Sequence, residues 1–215
     1  MDFIKSWFAD TIKSFQSLIS FLLGSLEANV LIVGLGNAGK TTLMNALLGR
    51  DSTRIYAPTR RPAQYTRTLS NVTFTAHDMG GQRNLRQMWT DYARKSHAIA
   101  FVVDTVDMAR LDEAIDEFER VRTLVCADEE KRDSVIRAPI VLIGNKYDIH
   151  DDAKQCLKEC DLSRLFRLPQ TGKFPDTQSE IRCDRRTEVF MISAKERWNH
   201  EDPFIWIAKT LHKIN

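Results

Sequence analysis

The run Val30-Leu31-Ile32-Val33-Gly34-Leu35-Gly36-Asn37-Ala38-Gly39-Lys40-Thr41-Thr42 joins a short apolar segment to a glycine-bearing loop, and Leu43, Met44, Ala46, Leu47 and Leu48 continue it at helical spacing. That is strand, loop and helix, with G-x-x-x-x-G-K-T laid across the junction, the context in which this pattern binds phosphate. Each residue type has a chemical reason. Glycines let the backbone turn tightly and aim its N–H groups inward at phosphate oxygens. The helix that follows adds the positive end of its dipole. Lys40 is expected to reach the β- and γ-phosphates, and the Thr41 hydroxyl to ligate Mg2+. Gly34, Asn37, Ala38, Gly39 and Thr42 complete the expected phosphate cradle. The loop by itself fits kinases, ATPases and GTPases alike.

Three further stretches narrow the choice. Phe74-Thr75-Ala76-His77-Asp78-Met79-Gly80-Gly81-Gln82 follows a short alternating stretch. A carboxylate at a strand end, Asp78, can hold Mg2+ through water, Gly81 can offer an N–H to a γ-phosphate, and Gln82 can orient the attacking water. Alone, D-x-G-G also describes a plain turn. Val141-Leu142-Ile143-Gly144-Asn145-Lys146-Tyr147-Asp148 ends another buried-looking strand. Its N-K-x-D supplies Asp148, suited to the N1–H and exocyclic amine of guanine together, a donor pair that adenine lacks. A site built on such bonds rejects the wrong ligand strongly. Phe190-Met191-Ile192-Ser193-Ala194-Lys195 is a third strand-to-loop junction. Backbone N–H groups around Ser193, Ala194 and Lys195 can close over the same base. Ligands of open α/β sheets bind at the carboxyl ends of the strands, where all these stretches fall.

This order of motifs resembles the small GTPases of the Ras superfamily, on the Arf/Sar side. GLGNAGKTT, the Pro58-Thr59 pair, DMGGQ, NKYD and SAK carry the resemblance over residues 34–195. Trp89 and Tyr92, in RQMWTDY, add to the Arf/Sar flavour. The Sar branch is the closer match, through PTRRPAQYTRTLSNVTFTAHDMGG, TGKFP within residues 168–184, TEVFMISAKER and the ending FIWIAKTL. Gly36 departs from the acidic residue that most Arf and Sar proteins carry there. Gln82 departs from the usual Sar histidine, and SAK is more Ras- or Arf-like. The resemblance implies a P-loop small GTPase fold, GTP/GDP and Mg2+ as ligands, and Thr59 as the switch I threonine that joins Thr41 and Asp78 around the metal. Lys40, Thr41, Thr59 and Mg2+ would neutralise developing phosphate charge. It further implies a GTP-switched protein that recruits a COPII-type coat in endoplasmic-reticulum-to-Golgi transport. An exchange factor, coat subunits and a GTPase-activating protein would be its partners. That last partner would supply the arginine that is not assignable in cis, worth about 10³–10⁵ in rate. An Arf-like protein at another membrane step, and a non-hydrolysing nucleotide-dependent scaffold, are the alternatives. A P-loop kinase would need lid arginines such as Arg182, Arg185 and Arg186, and N-K-x-D argues against it.

Length and composition bound the rest. The 215 residues suit one large domain or two very small ones, with 43% hydrophobic and 28% charged residues as in ordinary globular proteins. A net charge of +2 is too weak to argue for a nucleic-acid partner. Two charged runs, at 128–133 and 182–186, read as solvated loops. Cys126, Cys156, Cys160 and Cys183 form no CxxC pair, so reduced thiols are expected rather than a zinc site.

Alternating patterns predict strands near 28–34, 65–70, 72–78, 98–104, 139–145 and 187–192. Helices are predicted near 39–49, 83–94, 109–127, 151–160 and 202–213. Together they describe a mostly parallel six-stranded α/β sheet with helices on both faces. One antiparallel pair is expected, 65–70 with 72–78, turning at Ser70-Asn71. Leu111, Ile115, Phe118 and Leu124 mark the inner face of one helix. Phe204, Ile207, Ala208 and Leu211 mark that of the last helix, with Asp202 as its N-cap.

The opening residues stand apart from this domain. Ile4, Trp7, Phe8, Ile12, Phe15, Leu18, Ile19 and Leu22 fill one arc of a helical wheel, opposite Lys5, Asp10, Lys13 and Gln16. A membrane span would need a run of about 20 apolar residues, which is absent. Polar interruptions argue against a signal peptide, and Asp2 excludes N-myristoylation. Residues 3–23 are therefore expected to lie in the interfacial plane of a membrane, touching lipid. The competing possibility is a helix docked on the domain's own core. The expected division is 1–24 as the membrane-binding helix and 25–215 as the GTPase domain, peripheral on the endoplasmic reticulum or Golgi from the cytoplasm. By the resemblance, the helix is retracted with GDP and released with GTP.

Overall fold

The structure is a computed structural model and describes residues 26–127, 138–149, 157–168 and 187–212. The expected helix over 3–23, both charged runs and the TGKFP insertion lie outside the described residues. Among the described residues the strands are β1 (Leu26–Val33), β2 (Ala63–Leu69), β3 (Val72–Asp78), β4 (Ala98–Asp104), β5 (Ile140–Asn145) and β6 (Thr187–Met191). They form a single sheet in the order β2-β3-β1-β4-β5-β6. Every neighbouring pair is parallel except β2 with β3. The central strands explain their own position: β4 and β5 are apolar and buried almost throughout, the pattern of strands covered on both faces. Strand β2 alternates half-buried and exposed residues, as an edge strand does. Leu69 pairs with Val72, which leaves a two-residue turn. Ser70 and Asn71 fill it with φ of 49° and 63°, the left-handed pair that matches hairpin twist.

Helices α1 (Lys40–Leu47), α2 (Trp89–Ala93), α3 (Leu111–Ala127), α4 (Glu159–Leu165) and α5 (Asp202–His212) cover the two faces. On one face, Val30, Ile32, Phe74, Ala100 and Ile143 meet Leu43 and Leu47 of α1 and Phe204, Ile207 and Leu211 of α5. On the other, Leu31, Val33, Ile99, Phe101 and Leu142 meet Trp89 of α2, Phe118 and Val121 of α3, and Leu162 of α4. A row of edge-to-face rings runs through this second layer. Trp89 to Phe101 is 6.4 Å, Phe101 to Phe118 is 5.3 Å and Phe118 to Phe166 is 5.3 Å between centroids.

Four expectations need correction. The helix near 83–94 is a 3₁₀ turn over Arg83–Met88 followed by the five-residue α2, because the side chains of Arg86 and Trp89 bond back to carbonyls just before the turn. Of the helix expected near 151–160 only the end is described: residues 157 and 158 are not helical, and α4 begins at Glu159 and runs to Leu165. Residues 151–156 lie outside the described residues; Leu157 is buried, with its N–H on the Thr105 carbonyl at 3.3 Å, before the helix begins. The Lys158 N–H then donates to the Asp161 carboxylate at 3.1 Å, marking the helix start. On α3 the fully buried positions are Leu111, Ala114, Phe118 and Val121, with Ile115 only partly buried and Leu124 outside the core. On α5 it is the Glu201 carbonyl, not that of Asp202, that accepts the first bond, from the Ile205 N–H at 3.0 Å.

Candidate functional site

The carboxyl ends of β1, β3, β4, β5 and β6 share one edge of the sheet. Strand β1 lies between β3 and β4, so its loop leaves at the point where the chain's order reverses, where such sheets bind ligands. That loop is residues 34–39. Gly39 closes it with φ of 89°; a β-carbon there would also stand 2.2 Å from the Asn145 amide nitrogen, so no other residue fits. Its carbonyl accepts the Leu43 N–H at 2.9 Å, the first turn of α1. The first-turn N–H groups of α1 open at this edge, a ready anion site, while within the loop the Ala38 N–H donates to the Leu35 carbonyl at 3.3 Å.

Lys40 is buried and folds back over the loop. Its ammonium donates to the carbonyls of Gly34 at 2.9 Å and Leu35 at 2.8 Å. Burial, helped by the positive charges of Arg86 and Arg110 and opposed by Asp78, pulls its pKa down to about 8.

Beside it the three expected metal residues converge. The Thr41 hydroxyl donates to Asp78 Oδ2 at 2.6 Å and lies 3.0 Å from the Thr59 hydroxyl. Asp78 is fully buried, and its Oδ1 has no partner among the described residues. Burial pushes its carboxyl above the usual range, against the Thr41 bond and the Lys40 charge. Two hydroxyls and a carboxylate with one unsatisfied oxygen make a hard-oxygen donor set, which fits Mg2+.

Gly81 packs directly on the phosphate loop. A β-carbon there would stand 2.4 Å from the Gly34 oxygen, the Gly36 nitrogen and the Leu35 carbonyl carbon. Gln82 follows, with its side chain exposed at the start of the 3₁₀ turn. Two residues to which no motif assigned a role hold this segment. The Trp89 indole N–H donates to the Gly80 carbonyl at 3.1 Å. Arg86, 7% exposed, donates to the Gly81 carbonyl at 2.9 Å and to Glu113 and Glu117 of α3 at 3.1 Å each. A third such residue is Arg110. It donates to the Gly36 carbonyl at 3.0 Å and is pinned by Asp107, at the wall of a small cavity lined by Leu35, Ala38 and Asp104.

The N-K-x-D and S-A-K segments meet at the other end of the loop. Buried Asn145 donates to the Ala38 carbonyl at 2.8 Å and accepts the Ala194 N–H at 3.0 Å. It is a strut between phosphate loop and base loop. The Ser193 N–H goes to the Trp198 carbonyl at 3.0 Å, so the Lys195 N–H is the remaining donor of the three. Lys195 itself is exposed, and its carbonyl accepts the Ser52 hydroxyl at 2.9 Å. Asp148 is exposed and accepts the Ser193 hydroxyl at 2.6 Å. Lys146, in left-handed backbone with φ of 70°, pairs with Asp104 at 2.7 Å. Thr42 is half-buried on α1.

Comparison with known proteins agrees with this geometry. The ADP-ribosylation factor (Arf) family matches residues 15–211. A Giardia intestinalis protein named small COPII coat GTPase SAR1 is 34% identical over 203 residues, 92% of this chain and 97% of that protein. The Dictyostelium discoideum small COPII coat GTPase SAR1B is 37% identical over 187 residues, 85% of this chain and 86% of that one. ADP-ribosylation factor-like protein alp41 of Schizosaccharomyces pombe is 30% identical, over 87% of this chain and 88% of its own. In fold, the Arl6 small GTPase of Trypanosoma brucei, solved with the nucleotide analogue GppNp, superposes with a TM-score of 0.67 at 23% identity, over 88% of this chain and 99% of that one. With a family match running nearly end to end, the chain belongs to the Arf family, on its Sar branch, and is a small GTPase that binds guanine nucleotide with Mg2+ and hydrolyses GTP.

Proposed function

We propose that this protein is a GTP/GDP switch that recruits a COPII-type vesicle coat to the endoplasmic reticulum membrane. Residues 3–23 serve as its reversible lipid anchor, and residues 25–215 form its GTPase domain. The reading draws on the SAR1 names of the relatives above. The observation that carries the switch is the meeting of Thr59 with Thr41 and Asp78. These three come from separate segments, so what is bound between them sets the position of the segment that carries Thr59.

The residues divide the work. Lys40 and the N–H groups of residues 34–42 hold phosphate oxygens, and Gly81 offers an N–H on the γ-side. Thr41, Thr59 and Asp78 hold Mg2+, which supplies charge neutralisation at the β- and γ-oxygens. Asp148 reads guanine, with Asn145 and Lys146 fixing its segment and residues 193–195 closing over the base. Gln82, exposed next to Gly81, orients water. An exchange factor, a GTPase-activating protein and coat subunits are the partners this scheme requires.

Liposome flotation with GDP and with a non-hydrolysable GTP analogue tests the scheme, using the full chain and one lacking residues 1–24. Expected is flotation with the GTP analogue that needs residues 1–24, and a Gln82→Leu variant whose single-turnover phosphate release falls by about 10-fold or more. Equal flotation in both nucleotide states would remove the coupling between nucleotide and anchor. A second reading, an Arf-like switch at another membrane step, is favoured by Gln82, by the S-A-K loop and by the likeness to alp41. Binding to COPII coat subunits separates the two.

A further inference from the structure

We propose that Trp198 is a positioning residue for the nucleotide base, locking residues 193–195 onto residues 145–148 so that Asp148 is held in one place. This rests on the base-reading role given above to Asp148.

After β6 the chain turns straight back on itself. Ser193 and Trp198 form an antiparallel bridge, each N–H donating to the other's carbonyl at 3.0 Å. On either side of Trp198 stand non-glycine residues in left-handed backbone, Arg197 with φ of 57° and Asn199 with φ of 51°. Such torsions are uncommon, and strained residues gather at ligand clamps. Here they bring the indole flat over the Tyr147 ring, at 5.3 Å between centroids and 17° between planes. Tyr147 is the neighbour of Asp148.

Asp148 needs this support. It is exposed on a 3₁₀ turn of only three residues, Tyr147–Ile149. Reading two donors of one base at once demands a fixed carboxylate, since small displacements weaken both bonds together. Two holds converge on it: Ser193 Oγ donates directly at 2.6 Å, and the Trp198 ring covers the adjacent Tyr147. The Tyr147 N–H also donates to the Ile192 carbonyl at 3.2 Å. The far side of the loop is tied down by Ser52 on the Lys195 carbonyl and by Arg197 on the Arg50 carbonyl. Trp198 remains 45% exposed, a large apolar side chain at the surface whose ring is used as a roof over Tyr147.

The test is nucleotide release from the full-length protein with Mg2+, using ribose-labelled fluorescent GDP and the matching inosine diphosphate, which lacks the exocyclic amine. Trp198→Ala is expected to speed GDP release by about 3- to 10-fold, the worth of an aromatic pair, and to speed inosine diphosphate release less. Trp198→Phe should restore most of the difference. Trp198→Leu, which keeps an apolar side chain and the backbone bridge but not the flat stack, should behave like Trp198→Ala. Unchanged GDP release in Trp198→Ala overturns the proposal. So does an equal speeding of both nucleotides, which marks a general loosening. Asp148→Ala separates the premise: if it keeps the preference for GDP over inosine diphosphate, the base reading itself fails and the proposal with it. If it loses that preference while the Trp198 variants are silent, only the role of Trp198 falls.

Discussion

Asp78 is fully buried, with one oxygen on Thr41 and the other without a partner among the described residues. Burying a charge in this way is unfavourable, and an isosteric neutral side chain removes the penalty. The arrangement makes sense only when a cation takes up the open oxygen. Asp78→Asn should therefore raise the stability of the nucleotide-free protein by about 1–3 kcal/mol, seen as a later urea midpoint, while Mg2+ no longer tightens GDP binding. An earlier midpoint together with an intact Mg2+ response would make the carboxylate structural. The same contrast explains what could be read from the sequence. Lys40, Thr41, Asp78 and Asn145 are given roles that few side chains can fill at fixed spacings, and the structure brings them to one edge of the sheet. Arg86, Arg110 and Trp198 do the holding. An arginine in a polar stretch reads as solvated surface until the fold shows it wedged between Gly81 and α3. Ala194 was legible as a loop residue, yet its N–H is taken by Asn145, a detail that only the crossing of two loops decides.

At the level of elements, the segment from Arg83 to Arg94 is where periodicity misleads. Its apolar spacing suits one continuous helix, but its first six residues form a 3₁₀ turn. The cause is tertiary: Trp89 and Arg86 reach back to the Gly80 and Gly81 carbonyls, and α3 presents Glu113 and Glu117 to Arg86. The hydrogen bond from Arg83, and then that from Arg86, hold the Glu113 carboxyl below its usual range. The hairpin at Ser70-Asn71, by contrast, was legible because its signal is local: two residues that tolerate left-handed backbone between alternating strands. The extent of α4 beyond residue 160 was not legible for the opposite reason, since its start depends on where the Leu157 N–H meets the Thr105 carbonyl. The Arg86 clamp gives a direct prediction. Arg86→Ala leaves Glu117 sharing only Arg120 and frees the Gly81 carbonyl. Removing one partner from a buried cluster costs about 3 kcal/mol, which for a chain of this size lowers Tm by roughly 6–12 °C. Arg86→Lys keeps the charge but not the fork and should fall between. Calorimetry of the GDP-bound protein checks this; a Tm within about 2 °C of the parent would mean that the clamp contributes little.

For the whole molecule, the decisive fact is that two separate cores, one on each face of the sheet, hold a site stitched from loops at its shared edge. The phosphate loop follows β1. The proposed metal residues come from α1, from the segment before β2 and from the end of β3, and the proposed base loops follow β5 and β6. A nucleotide therefore bridges segments that the two cores position separately, and its binding should register as global stability. At 100-fold excess over Kd the gain is about 2.7 kcal/mol, or roughly 5–10 °C in Tm for a domain of this length. Part of that gain runs through Asp78, because a bound cation would take up its buried oxygen and reinforce the contact between Thr59 and Thr41. Adding EDTA to the GDP-bound protein should thus lower Tm and speed GDP release in the parent, and do neither in Asp78→Asn. Were EDTA to leave Tm unchanged while still speeding release, the cation would bind the phosphates alone and not tie the segments together. The link from nucleotide to Thr59 would then have to run through Gly80 and Gly81: Gly81 packs on the phosphate loop, and a β-carbon on Gly80 would stand 2.6 Å from the Thr59 carbonyl oxygen.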